Sequence, residues 1–148
     1  MAKLDHLRRK IAVKVVIDAY AWVELFIGSK SGKKAMELIQ NSDEAFTPDI
    51  VLAEVARKYL REGMDEETIQ RRLTVIEEVS EITPIDKEIA LESAKCYMLL
   101  SERAKKDNLR GPSLFDAVVL ATARTLRAKI ITGDEYFKNL DEVLWIAK

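Results

Sequence analysis

Short β-branched runs alternate with longer stretches of helical periodicity along the whole chain, and this alternation limits the possible folds more than any other feature. Strand followed by helix, repeated, predicts an α/β fold with a mainly parallel sheet, because parallel strands must be joined by long crossovers that are usually helical. The spacing predicts a strand near residues 11–17, a helix over 19–26 and another over 31–40, with Gly28 and Gly32 in the connection between them. A short strand over 44–46 leads into a helix opened by Thr47 as N-cap and Pro48 as first helical residue, and closed by Gly63 after Leu60. Asp65 caps the next helix, whose Ile69, Leu73 and Ile76 share one face. The strand near 81–85 contains Pro84 and belongs at a sheet edge or strand end.

From Asp86 a long helix is expected to turn Ile89, Ala90, Ala94, Tyr97 and Met98 inward before dissolving into the polar, loop-like stretch SERAKKDNLRGP. A helix over 113–127, a strand over 129–132, a turn at Gly133, a short helix over 135–140 and a strand over 143–146 complete the pattern. No repeat, low-complexity segment or linker interrupts it. With 148 residues, one domain spanning 1–148 is expected.

The chain is 48% hydrophobic and 33% charged, which excludes a disordered polymer and a membrane protein. No apolar run reaches the roughly 18 residues of a membrane span, and MAKLDHLRRK has no apolar segment of signal-peptide length. The single cysteine, Cys96, cannot form an intramolecular disulfide and reads as a small apolar filler on a helix, so a cytoplasmic protein is expected. A net charge of -1 provides no global basic field, so any nucleic-acid site must be local.

Ligands of open parallel sheets bind beyond the carboxyl ends of the strands, where Asp18 and Asp134 fall. Each has a plain alternative as the N-cap of the helix that follows. Asp116 has one too, since Ser113 to Asp116 reads as a capping box, but it opens a helix apolar on nearly every side, AVVLATA, and an acid at a buried helix end needs a partner. Glu54 lies among Ile50, Val51, Leu52, Ala53, Val55 and Ala56, with a salt bridge to Arg57 or Lys58 as the alternative to a functional role. Four carboxylates in one pocket repel one another until protons or cations neutralise them, and an all-oxygen set suits Mg2+ or Mn2+. Zinc would favour nitrogen and sulfur ligands that one His6 and one Cys96 cannot assemble.

In chain order, VVIDAYAWVELF, PDIVLAEVARKYL, LFDAVVLATAR and IITGDEYF resemble the four acidic motifs of PIN domains, especially the VapC-type toxins of prokaryotes. The resemblance runs from Ile11 to about Trp145 and implies a three-layer α/β/α sandwich. Asp18, Glu54, Asp116 and Asp134 stand where that family has its catalytic and metal-binding acids, and Thr132 resembles the hydroxyl residue near the last of them. Ala19 and Tyr20 follow Asp18 where many members have serine or threonine. The resemblance implies a Mg2+- or Mn2+-dependent endoribonuclease hydrolysing RNA phosphodiesters, the toxin of a toxin-antitoxin pair, with an antitoxin partner and a homodimer.

Positive charge must flank such a pocket to hold RNA, and Lys30, Lys33 and Lys34, Arg57, Lys58 and Arg61, and Lys105, Lys106 and Arg110 are the candidates, with Arg110 foremost. GSKSGKK is not a phosphate-binding loop: its glycines are too close, no Ser or Thr follows Lys33, and a helix precedes it. It reads as an exposed connection. A haloacid-dehalogenase-type phosphatase would need an aspartate where Tyr20 stands, and a receiver domain would need an aspartate after the third strand. A catalytically silent PIN-like RNA-binding or scaffold protein, or an RNA-processing PIN nuclease without an antitoxin, are the remaining alternatives.

Overall fold

A computed structural model describes residues 12–148; Ile11 and His6 lie outside the described residues. The elements are β1 (Lys14–Ile17), α1 (Ala19–Ile27), α2 (Lys30–Gln40), β2 (Glu44–Pro48), α3 (Asp49–Arg61), α4 (Glu66–Val79), β3 (Glu81–Thr83), α5 (Lys87–Lys106), α6 (Leu114–Leu126), β4 (Lys129–Thr132), a 3-10 turn (Glu135–Phe137) and β5 (Val143–Trp145). All strand pairs are parallel, in the order β3-β2-β1-β4-β5. The fold is the expected α/β sandwich.

β1 occupies the middle of the sheet, and its Val15, Val16 and Ile17 are fully buried, as a strand covered on both faces requires. In α6 every residue from Asp116 to Ala123 is buried, so this helix runs through the core as its all-round apolar sequence implies. β3 is an edge strand, and Pro84 follows it immediately, where no ladder donor is needed. Asp65 and Asp86 cap α4 and α5 by accepting the Thr68 and Ile89 N–H groups. Ile69 and Ile76 are buried in α4, and Leu73 packs on the core beside them.

Four details differ from the sequence reading, each for a physical reason. Thr47 is not an N-cap: it lies in β2, fully buried, where its Oγ1 accepts the Trp22 indole N–H at 3.1 Å and bonds the Ser80 hydroxyl at 2.6 Å. Pro48 takes the cap position of α3, without a side-chain hydrogen bond. The helix α5 continues through Lys106, so the first half of SERAKKDNLRGP is helical and the connection begins only at Asp107. Leu100 and Ala104 hold that last turn against the core.

The inward stripe of α5 is Ile89, Ser93, Cys96, Leu100 and Ala104, whereas Ala90, Ala94, Tyr97 and Met98 are exposed. Ser93 can be buried because its hydroxyl donates to the Ile89 carbonyl at 2.7 Å. Gly32 is not in a loop but buried in the first turn of α2, where a Cβ would lie 2.1 Å from the Glu24 carbonyl oxygen. Only a glycine lets α1 and α2 approach this closely. No helix among the described residues is long and apolar enough to cross a membrane.

Candidate functional site

The four acids come from four separate segments that meet at the carboxyl ends of β1 and β4. Asp18 follows β1, Asp134 follows β4 by one residue, Glu54 projects from α3 and Asp116 sits in the first turn of α6. Parallel pairing sets Ile17 opposite Ile131, which brings the next residues, Asp18 and Thr132, side by side. Thr132 Oγ1 donates to Asp18 Oδ2 at 2.5 Å and accepts the Asp134 N–H at 3.0 Å, joining the two strand ends.

Capping and convergence turn out to be compatible. Asp18 Oδ1 accepts the Ala21 N–H at 2.9 Å and caps α1; Asp134 Oδ1 accepts the Tyr136 N–H at 3.0 Å; Asp116 Oδ2 accepts the Ser113 N–H at 2.9 Å while the Ser113 hydroxyl caps α6, a complete capping box. Each of the three therefore satisfies a helix or turn start with one oxygen.

Glu54 differs from them. It is half-buried and has no hydrogen bond or ion pair among the described residues. Its helix neighbours are otherwise engaged: Lys58 pairs with Glu62 at 3.5 Å, and the Arg57 guanidinium lies 5.4 Å from the centre of the Phe115 ring. The local salt bridge that could have explained Glu54 does not form.

All four carboxyls are held above the usual carboxylate range. Burial pushes Asp18 up to about 8, outweighing its Thr132 and Ala21 hydrogen bonds, with Asp134 and Glu54 adding repulsion. Burial pushes Glu54 up to about 7, helped by the charges of Asp116 and Asp134 and opposed by Arg57. Asp116 and Asp134 are raised by burial as well, and Asp134 also by Asp116. The acids thus share one electrostatic environment with too little positive charge in it.

Among the described residues, no three Asp, Glu, His or Cys side chains already form a cage for a metal ion. The donor set nevertheless fits a hard divalent cation: oxygen ligands only, negative charge in excess, and in Glu54 a carboxylate with both oxygens free to turn. Glu54 and Asp134 also line a pocket of ≈ 590 Å³ together with Tyr20, Arg57, Tyr59 and Arg72. Arg110 is exposed and acts on Tyr136, whose hydroxyl also feels Asp116 and Asp134, so it stands on the acidic side of the molecule. Arg72 and Tyr59 escaped the sequence reading, since nothing in the RR pair at 71–72 or in KYL tells which side chain faces the pocket.

No curated protein sequence matches this chain. Solved structures do: a toxin-antitoxin complex from Klebsiella pneumoniae (23% identity, TM-score 0.64, 90% of this chain and 98% of that one) and VapBC2 from Rickettsia felis bound to a DNA fragment from their promoter (17%, 0.65, 90% and 97%) are similar to it. So is VapC20 of Mycobacterium tuberculosis, described as a Sarcin-Ricin loop cleaving toxin (15%, 0.61, 82% and 90%). At these identities the similarity is one of fold. The PIN domain family model matches residues 15–143, a span that includes all four acids, and the chain therefore belongs to the PIN domain family.

Proposed function

We propose that this chain is a divalent-metal-dependent endoribonuclease, a single domain over residues 1–148, whose Asp18, Glu54, Asp116 and Asp134 hold Mg2+ or Mn2+. The observation that carries the reading is the meeting of four acids from four segments, all raised in pKa, without a matching set of cations. A protein keeps such a costly arrangement where a cation is bound in function.

Asp18 and Asp116 are the first ligands. Their positions are fixed by Thr132, by the Ala21 N–H and by the Ser113 capping box, so each presents its carboxyl from a rigid support. Glu54 and Asp134 complete the set directly or through water. When bound, the divalent ion supplies charge to the scissile phosphate and acidity to the attacking water. The partial burial of Glu54 lowers the local dielectric, which strengthens each of these interactions.

The substrate is RNA, and the protein acts as the toxin of a VapBC-type pair in the cytoplasm. The similarity to toxin-antitoxin structures supports this, as does the Sarcin-Ricin loop cleavage ascribed to the similar Mycobacterium tuberculosis toxin. An antitoxin protein and a homodimer belong to the same reading. Exposed Leu91 and Met98, seven residues apart on α5, offer the dimer an apolar face.

The test is cleavage of single-stranded RNA by the purified chain with Mg2+ or Mn2+, beside the same reaction in excess chelator and with Asp116→Asn. Metal-dependent cutting that the substitution reduces by about a hundredfold or more is the expected result. Undiminished cutting in chelator would remove the mechanism.

A further inference from the structure

Arg72 differs from every other cation near the acids. Its guanidinium carbon lies 4.8 Å from the centre of the Tyr59 ring and 5.4 Å from that of Phe26, so α4 reaches across both α3 and α1. Aromatic rings attract the charge but accept little from the N–H donors, which need oxygen. Among the described residues Arg72 has no hydrogen bond or ion pair, although it is half-buried; its neighbour Arg71, exposed, is bonded to both Glu67 and Thr68.

A second unmet group lies beside it. Tyr59 is 3% exposed, and its hydroxyl is buried with no partner, a state that costs stability unless something else bonds there. Both residues line the ≈ 590 Å³ pocket into which Glu54 and Asp134 also face. One wall of the pocket is apolar, formed by Val23, Ile27 and Met64; Ile27 is 65% exposed.

A fixed cation with free donors, a buried hydroxyl and an apolar wall, all beside an acidic centre, match one nucleotide. The phosphate takes the planar fork of the arginine, and the base covers the wall. We propose that Arg72 and Tyr59 bind a backbone phosphate of single-stranded RNA other than the one cleaved, and that this pocket is the subsite for the nucleotide beside the cut. The proposal rests on the ribonuclease reading for its substrate.

The test is equilibrium binding of a short, labelled, mixed-sequence single-stranded RNA to the full chain in chelator, where nothing is cut, repeated across a range of salt. Arg72→Lys is expected to weaken binding by about tenfold, and Arg72→Gln to lower the slope of log affinity against log salt by roughly 0.7, the share of one phosphate. Tyr59→Phe is expected to weaken binding several-fold without lowering Tm, since it deletes only an unbonded hydroxyl. That combination separates a ligand contact from a structural one.

Unchanged RNA affinity and salt slope in Arg72→Gln and Tyr59→Phe would overturn the subsite and leave Arg72 as a staple between helices. Protection of the pocket by a partner protein, with RNA binding indifferent to both residues, would overturn it in favour of a protein groove. Because binding is read without metal, a wild-type chain that binds RNA through Arg72 yet never cuts it would sink the nuclease reading alone.

Discussion

The Thr132 hydroxyl donates to Asp18 at 2.5 Å while accepting the Asp134 backbone N–H at 3.0 Å, so one small side chain sets the spacing of two strand ends. Thr132→Val keeps the shape and removes both bonds inside a fully buried site. A loss of about 1–3 kcal/mol is expected in chemical denaturation, with Thr132→Ser keeping most of the stability. Equal stability of the valine and serine variants would show that the hydroxyl contributes nothing.

The raised carboxyls fix the direction of a pH effect. Asp18 binds its proton up to about pH 8 when folded but only up to its ordinary 3.8 when unfolded, and Glu54 up to about 7 against 4.5. Between those limits the folded state holds more protons than the unfolded one, so stability falls as pH rises from about 4 to about 8. In chelator, Tm should decline between about pH 5 and about pH 8. Asp18→Asn, neutral throughout, should flatten the decline; a profile as steep as that of the wild type would contradict the assignment.

Cation binding should act in the opposite sense. Mg2+ or Mn2+ at a hundred times its dissociation constant is expected to add about 2.7 kcal/mol, more visibly at pH 8 than at pH 5 because protons compete for the same oxygens. Asp116→Asn retains an acceptor for the Ser113 N–H and so the cap, but loses the charge. The mutant should fold and lose most of the metal-induced rise in Tm.

Gly32→Ala should be among the most damaging single-methyl changes available. Its Cβ would meet the Glu24 carbonyl oxygen at 2.1 Å, which is backbone and cannot swing aside. A loss of about 3 kcal/mol is expected, from forcing α1 and α2 apart, measured by denaturant unfolding. Gly28, where a Cβ would meet nothing within 4 Å but φ is +76°, should suffer less.

How much the sequence reveals depends on how far away the deciding partner lies. Asp18 and Asp134 were legible because strand ends and caps are local patterns, and Glu54 because a lone acid in an apolar helix run needs no distant information. Thr47 was misread because its partners, Trp22 and Ser80, are 25 and 33 residues away. The inner stripe of α5 was misplaced because a buried serine looks polar until its bond to the Ile89 carbonyl is seen. Arg72 was invisible for the same reason: its rings belong to two other helices.

Three of the four acids spend an oxygen on starting a helix or turn, whether or not an ion arrives. The architecture is therefore assembled by the same groups that the proposed chemistry would use, and it does not wait for them to be loaded. If the proposed metal site holds, starving a cell of magnesium or manganese would leave this protein folded but idle, ready to be switched on by the ion supply without being remade.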